Sequence, residues 1–483
     1  MSPLWTAAEA AAATHGQRLG RDWVASGISI DTRTLQPGDL FVALRDVRDG
    51  HDFVAQAFEK GAAAALVSRR PDGVAADAPL LVVGDTLAGL RGLAARARAR
   101  CRARVVAVTG SVGKTSSKEM LRTALSAQGP THASEKSYNN HWGVPLTLAR
   151  MPRATRFAVI EIGMNAPREI APLSRLAQPH VGLITTVAPV HLAAFGTVEG
   201  IAAEKGSLAE GVVEGGRMVL PRDIATWPVV AAAARRAGLS ITTFGREAGA
   251  DYRLEEVHMT EAATTAKATC RGRPLMFRLD QPGQHLAGNA LGVLAAVEAL
   301  GADLGKAALE LASWCAPEGR GARWEIALGP GGLDGSVRLI DESYNANPAA
   351  MAAAFEVFAL THPQDGLGRV SRGRRIAFLT DMLELGEDAP AMHAALADLP
   401  TMESVTLVHC AGPLMKALHH ALPERRRGQW YESAAELAAR VPRLVDAGDV
   451  VMCKGSNGSK ASLLAEAVRN LGAARPLDGQ GAD

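Results

Sequence analysis

One stretch, Arg104–Thr115, reads RVVAVTGSVGKT and constrains the chain more than any other. The apolar run Val105–Val108 suits a buried strand and ends at Thr109 and Gly110. Ser111, Val112, Gly113, Lys114 and Thr115 follow, ahead of the helix-like SSKEMLRTAL. Strand, glycine loop and helix in that order make the context of a phosphate-binding loop. Glycines let successive N–H groups curl round phosphate oxygens, and the helix N-terminus adds its positive end. Lys114 then suits the outer phosphates and the Thr115 hydroxyl suits Mg²⁺. The loop is shorter than the commonest spacing by roughly a residue or two, yet its context predicts binding of a nucleoside triphosphate.

A chain of 483 residues has room for about three domains of ~100–200 residues each. The sequence divides into a small α/β unit over 1–100, a P-loop domain with a mostly parallel sheet over 101–316, and a doubly wound, Rossmann-like domain over 317–483. The last follows from strand-like VRLIDES, IAFLTDM, SVTLVHC and DVVMCKG alternating with helical stretches. A net charge of +2 leaves no basic excess for a nucleic acid. Five scattered cysteines without a CxxC pair point to a reducing compartment and no zinc site. The N-terminus lacks the pattern of a secretory signal, and no apolar run reaches the ~20 residues of a membrane span. A cytoplasmic enzyme is therefore expected.

Further candidates lie at the ends of apolar runs. FAVIEIGMN places Glu161 at a strand end downstream of the P-loop, where a carboxylate meets nucleotide-bound Mg²⁺. VGLITTVAPVHL runs into His191 in the same way, and strand ends of one parallel sheet emerge on one edge. Together they suggest a second metal position. Lys205, in GIAAEKGSL, is anomalous beside a cation unless it pairs with an anion or carries a charge-reversing modification. His285 and Asn289 share a helical face, either as polar caps or as purine contacts. Asp31, Thr32 and Arg33 form a turn that is either structural or part of a second anion site.

These motifs together resemble the Mur ligases, ATP-dependent amino-acid-adding enzymes of peptidoglycan precursor synthesis, with the related folylpolyglutamate synthases. The resemblance runs through DTR, PGDLFVAL, DGHDF, VTGSVGKTSSKEM, NNHWGVPLTL, EIGMNAPREI, TTVAPVHLAAFGTVEGIAAEKGSL, GQHLAGNAL, PEGR, DESYNANP, DMLELG and KGSNGS. The pair DESYNANP and DMLELG is most similar to the branch that joins D-Ala-D-Ala to UDP-N-acetylmuramoyl-tripeptide. The resemblance implies a monomer whose N-terminal domain holds the UDP-linked substrate, whose central domain holds ATP and whose third domain closes with the dipeptide.

Residue by residue, the resemblance implies ATP contacts along Thr109–Thr115, with Lys114 on the phosphates. It implies Asn289 at adenine, Arg320 at the γ-phosphate and Asp341 at ribose. Thr115, Glu161 and His191 match ligands of two Mg²⁺ ions, and Lys205 matches a lysine often carbamylated in the family. Lys114, Lys205, His191 and Arg320 are the expected catalytic set. Asp31, Thr32 and Arg33 match the uridine-diphosphate side, while Asn139, Asn140, Asn345 and Asn347 match peptide-side contacts. Four positions depart from the family pattern: Leu286 for Asn, Asp46 for Gly, Thr380 for Gly and Gln284 for Arg or Lys. Other readings are a different Mur ligase, a folylpolyglutamate synthase, or a P-loop ATPase that switches a partner.

Overall fold

The computed structural model describes residues 3–135, 138–190, 192–369 and 371–477. Its centre is a nine-stranded sheet. From one edge the order is Thr131–Ala133, Phe157–Glu161, Arg104–Thr109, Val181–Ile184, Arg217–Pro221, Ser240–Gly245 and Tyr252–Met259, all parallel. Thr264–Cys270 and Arg273–Leu279 then extend it as an antiparallel meander. The inner strands are apolar on both faces because helices cover both. Val106 and Val108 pack with Met120 and Leu121 of helix Lys114–Ser126, whereas Val105 and Ala107 pack with Ile170 and Leu173 of helix Ile170–Ala177. Each fully buried Val or Leu contributes about 1.5–3 kcal/mol, so a one-residue slip would reverse the faces and lose both layers.

That register decides where chemistry can occur. Glu161 pairs with Val108, and Ile184 pairs with Thr109. The three strands therefore end level, at the carboxyl edge where open α/β sheets bind ligands.

The N-terminal sheet has the order Gln17–Leu19, Leu80–Val82, Ala64–Val67, Asp39–Val42 and Gly27–Ser29; only the first pair is antiparallel. It docks on the central domain through a shared core in which Leu40, Leu66 and Leu81 belong with Leu146 and Ala149 of helix Gly143–Ala149. The Trp5 indole donates to the Ala149 carbonyl at 3.0 Å. Arg100 stacks over Trp5, 3.9 Å from the ring centroid, and Glu9 bridges Arg100 at 3.2 Å and Arg153 at 2.5 Å. The Arg100 side chain is only 4% exposed, so Glu9 is the counter-charge that makes its burial tolerable. Glu9→Gln is expected to cost about 3 kcal/mol, because it strands a buried cation. The check is a lower urea midpoint for the transition that frees the N-terminal unit, with turnover per folded molecule unchanged.

The C-terminal sheet has the order Arg427–Tyr431, Leu407–Ala411, Arg375–Thr380, Val450–Lys454, Ser336–Glu342, Ala322–Ala327 and Ala473–Pro476, with the first five parallel. Val450 pairs with both Arg338 and Arg375, so the strand it begins returns to fill the gap left between two earlier ones. Among the described residues no helix is long and apolar enough to cross a membrane. The α/β class and mostly parallel sheets are those expected from the sequence.

Candidate active site

Gly113, at φ +85°, is the N-cap of helix Lys114–Ser126 and supplies no capping side chain, so the first-turn N–H groups remain free for an anion. A Cβ on Gly113 would lie 2.7 Å from the Asn289 amide, and one on Gly110 would lie 1.9 Å from Thr185 Oγ1. Glycine is therefore required for packing at both positions as well as for backbone conformation. Thr185 Oγ1 donates to the Val112 carbonyl at 2.6 Å, and Ser111 Oγ donates to Ala188 O at 3.0 Å while accepting from Ala188 N at 2.9 Å. The loop is thus fastened to the segment after strand Val181–Ile184. Thr109 is fully buried beneath it.

Lys114 curls back over the loop, its Nζ donating to the Gly110 carbonyl at 2.7 Å. Burial lowers its pKa; Glu161 opposes this and the Arg320 charge adds to it. Thr115 Oγ1 lies 3.2 and 3.1 Å from the two Glu161 oxygens. Asn139 Nδ2 donates to Glu161 Oε1 at 2.8 Å, and the Glu161 N–H donates to Ser134 Oγ at 3.0 Å. Asn139 therefore orients the carboxylate, while the Asn140 side chain accepts from Gly143 N at 2.8 Å and begins helix Gly143–Ala149.

Lys205 is 2% exposed, and its Nζ lies 3.7 Å from Met164 Sδ. Burial, then the Lys114 charge, drive its pKa well down, against the pull of Glu204. The adjacent Glu204 accepts from Arg168 N at 2.8 Å and Ile170 N at 2.9 Å. It thereby ties the lysine's helix, Val198–Gly206, to the loop that follows Glu161.

The loop opens on a cleft of about 1170 Å³ between the central and C-terminal domains. Its floor includes Lys114, Thr115, Asn139, Asn140, Glu161 and Asn289, and Arg320, Asn345 and Asn347 come from the opposite wall. Asn347 Oδ1 is taken by Ala350 N at 2.9 Å, as N-cap of helix Pro348–Leu360. Asp341 is 1% exposed and lies outside the lining; its carboxylate accepts from Ser343 Oγ at 2.6 Å and Ser343 N at 3.1 Å. Burial raises its pKa despite those bonds. The neighbouring Glu342 faces the cleft instead, 3.1 Å from the buried Lys454 ammonium.

Asp31 and Arg33 pair with each other at 2.6 Å in the N-terminal unit, and Thr32 Oγ1 donates to Gln56 at 2.7 Å. None of the three lines the cleft. His191 lies outside the described residues.

Among the departures, Leu286 is 6% exposed and packs in the central core, and Gln284 lines the cleft. Thr380 Oγ1 lies 2.6 Å from Ser459 Oγ, a bond that glycine could not make. Asp46 N donates to Arg48 O at 3.1 Å within its loop. Sequence reasoning missed Thr185, Ser134, Glu204, Glu342 and Lys454. The last two stand inside DESYNANP and KGSNGS, Thr185 inside VGLITTVAPVHL and Glu204 inside GIAAEKGSL, which were the available signals; Ser134 had none.

The comparisons agree with this architecture. The model for the Mur ligase middle domain matches residues 108–297, that for the Mur ligase glutamate ligase domain matches 323–457, and that for the Mur ligase family catalytic domain matches 24–98. UDP-N-acetylmuramoyl-tripeptide–D-alanyl-D-alanine ligase of Bacillus subtilis is 33% identical over 454 residues, covering 93% of each chain. Its Escherichia coli counterpart is 33% identical over 461 residues, covering 95% of this chain and 96% of its own. A crystal structure of MurF from Acinetobacter baumannii superposes with a TM-score of 0.80 at 28% identity, covering 97% of this chain and 99% of that one.

Proposed function

The chain belongs to the Mur ligase family, and from that premise we propose that it joins D-Ala-D-Ala to UDP-N-acetylmuramoyl-tripeptide, driven by ATP. The observation that carries this reading is the cleft itself, where Lys114, the Thr115–Glu161 pair and Arg320 face one space from two domains. ATP's phosphates lie on the loop N–H groups and Lys114, with the base on the Asn289 side of the cleft. The C-terminal carboxylate of the tripeptide attacks the γ-phosphorus. The bond to the β–γ bridging oxygen breaks, ADP leaves, and an acyl phosphate forms. The dipeptide amine then attacks the acyl carbon and loses a proton, and the tetrahedral intermediate expels inorganic phosphate.

Positioning and charge neutralisation dominate such chemistry. Lys114 and Arg320 offset charge on the phosphates, and closure of the third domain shields the acyl phosphate from water. Thr115 and Glu161 present hard oxygens, the donor type Mg²⁺ selects, and substrate phosphates customarily complete its shell. With His191 they would hold the two ions, which supply charge neutralisation on the transferring phosphoryl group. Lys205, whose pKa burial lowers, suits reaction of its amine with CO₂ to give a carbamate and a proton. Asp31, Thr32 and Arg33 form the uridine-diphosphate end. ATP and a UDP-linked substrate place the reaction in the cytoplasm. A monomer is the proposed working unit.

The test is phosphate release with Mg-ATP and UDP-N-acetylmuramoyl-tripeptide, comparing D-Ala-D-Ala with L-Ala, D-Glu and a diamino acid. Release that requires both tripeptide and D-Ala-D-Ala is expected. Steady release without any acceptor would overturn the reading in favour of an ATPase switch.

A further inference from the structure

The segment Pro317–Gly321 joins two domains in sequence but is fastened to only one of them by its backbone. Gly321 N donates to Asp341 O at 2.8 Å, and Tyr344 N donates to Gly319 O at 2.9 Å. Glu318 adds an exposed pair with Arg469 at 2.6 Å. Gly319 has φ +73°, and a Cβ there would meet the Tyr344 Cβ at 3.0 Å, so this close approach requires glycine. Directly above, the Arg320 guanidinium lies over the Tyr344 ring, its Cζ 4.0 Å from the centroid. Among the described residues no carboxylate pairs with Arg320.

This arrangement is unusual for a half-buried arginine. A carboxylate partner would fix the side chain but occupy its donors and neutralise its charge. An aromatic face fixes the plane of the guanidinium and leaves the N–H fork free for phosphate oxygens. The same cleft holds Arg320, Tyr344 and Lys114 in its lining, and the Arg320 charge is felt at Lys114, so the guanidinium and the phosphate loop share one space.

We propose that Tyr344 is the positioning residue for Arg320: its ring holds the guanidinium aimed at the phosphate loop, and Pro317–Gly321 travels with the C-terminal domain. The rotation on closure is then taken up between Trp314, which is packed in the central core, and Pro317, and closure delivers the arginine already oriented. This rests on the reading of Arg320 as a γ-phosphate contact.

The experiment compares Tyr344→Phe, Tyr344→Leu, Arg320→Ala and the double variant Tyr344→Leu/Arg320→Ala in full-length protein. It measures kcat, substrate KM values and affinity for a non-hydrolysable ATP analogue. Phe keeps the ring face and should retain kcat within about twofold, whereas Leu should lower it about tenfold with analogue affinity unchanged. Arg320→Ala should lower kcat on the order of 10²–10³-fold. The double variant should be no worse than Arg320→Ala alone, a non-additivity that a merely structural role of Tyr344 would not produce. Tyr344→Leu at full activity beside an impaired Arg320→Ala would overturn the proposal. So would Phe being as impaired as Leu, or additive losses in the double variant. A fully active Arg320→Ala would instead overturn the reading of Arg320, which keeps the two failures distinct.

Discussion

Lys114→Ala is expected to lower kcat on the order of 10³-fold, equivalent to about 4 kcal/mol of transition-state stabilisation. The ammonium sits on a glycine loop whose neighbours Thr185, Ala188 and Asn289 leave it little freedom to move. Its Nζ already reaches across the loop to Gly110 O. A water molecule in the vacated volume brings no positive charge to the γ-phosphate as it transfers, so the loss falls on the chemical step. Binding of the UDP-linked substrate should be unaffected, because Asp31–Arg33, its proposed contacts, form a turn after strand Gly27–Ser29 of a separate sheet and lie outside the cleft. Single-turnover phosphate release and substrate titration check both halves. An alanine variant within tenfold of the parent would remove Lys114 from phosphoryl transfer.

Lys205→Ala should lower turnover on the order of 10²-fold or more, in line with loss of one preorganised charge at a phosphoryl-transfer site. Acetate or propionate should restore part of it, since a small carboxylate can stand where the carbamate would be. Relative to the uncarbamylated protein, the same change should stabilise the fold. The folded pKa of Lys205 is far below its free value through burial, so the unfolded chain binds the proton more readily. Stability then falls as pH drops below the free lysine pKa towards the folded one, and the lysine is a burden across neutral pH. Removing it should raise the denaturant midpoint at pH 7 while activity falls, the opposite pairing to that of a packing residue. Unchanged turnover would exclude Lys205 from the mechanism.

The P-loop, the strand end at Glu161 and the α/β class were legible because each is written in a short segment, whereas the strand expected to run into His191 ends at Ile184. Strand periodicity, glycine placement and an adjacent helix all act over a few residues. The roles within the site were less legible. Asn139 read as a substrate contact, and the structure adds that its amide orients Glu161. Asp341 read as the ribose contact; in the structure Ser343 holds its carboxylate, and it is Glu342 that faces the opening. In a strand successive side chains point to opposite faces, so a shift of one position separates a buried acid from an exposed one.

By itself the sequence determined the family, the phosphate loop and the three α/β units, since local hydrogen bonding and periodicity specify them. Only the tertiary structure decided which groups are paired, buried or presented. Glu9 reaches Arg100, Glu204 anchors the helix of Lys205 to a loop 34–36 residues earlier, and Tyr344 lies under Arg320. Charge, solvation and aim depend on neighbours distant in the chain, and those neighbours exist only once the sheets have packed.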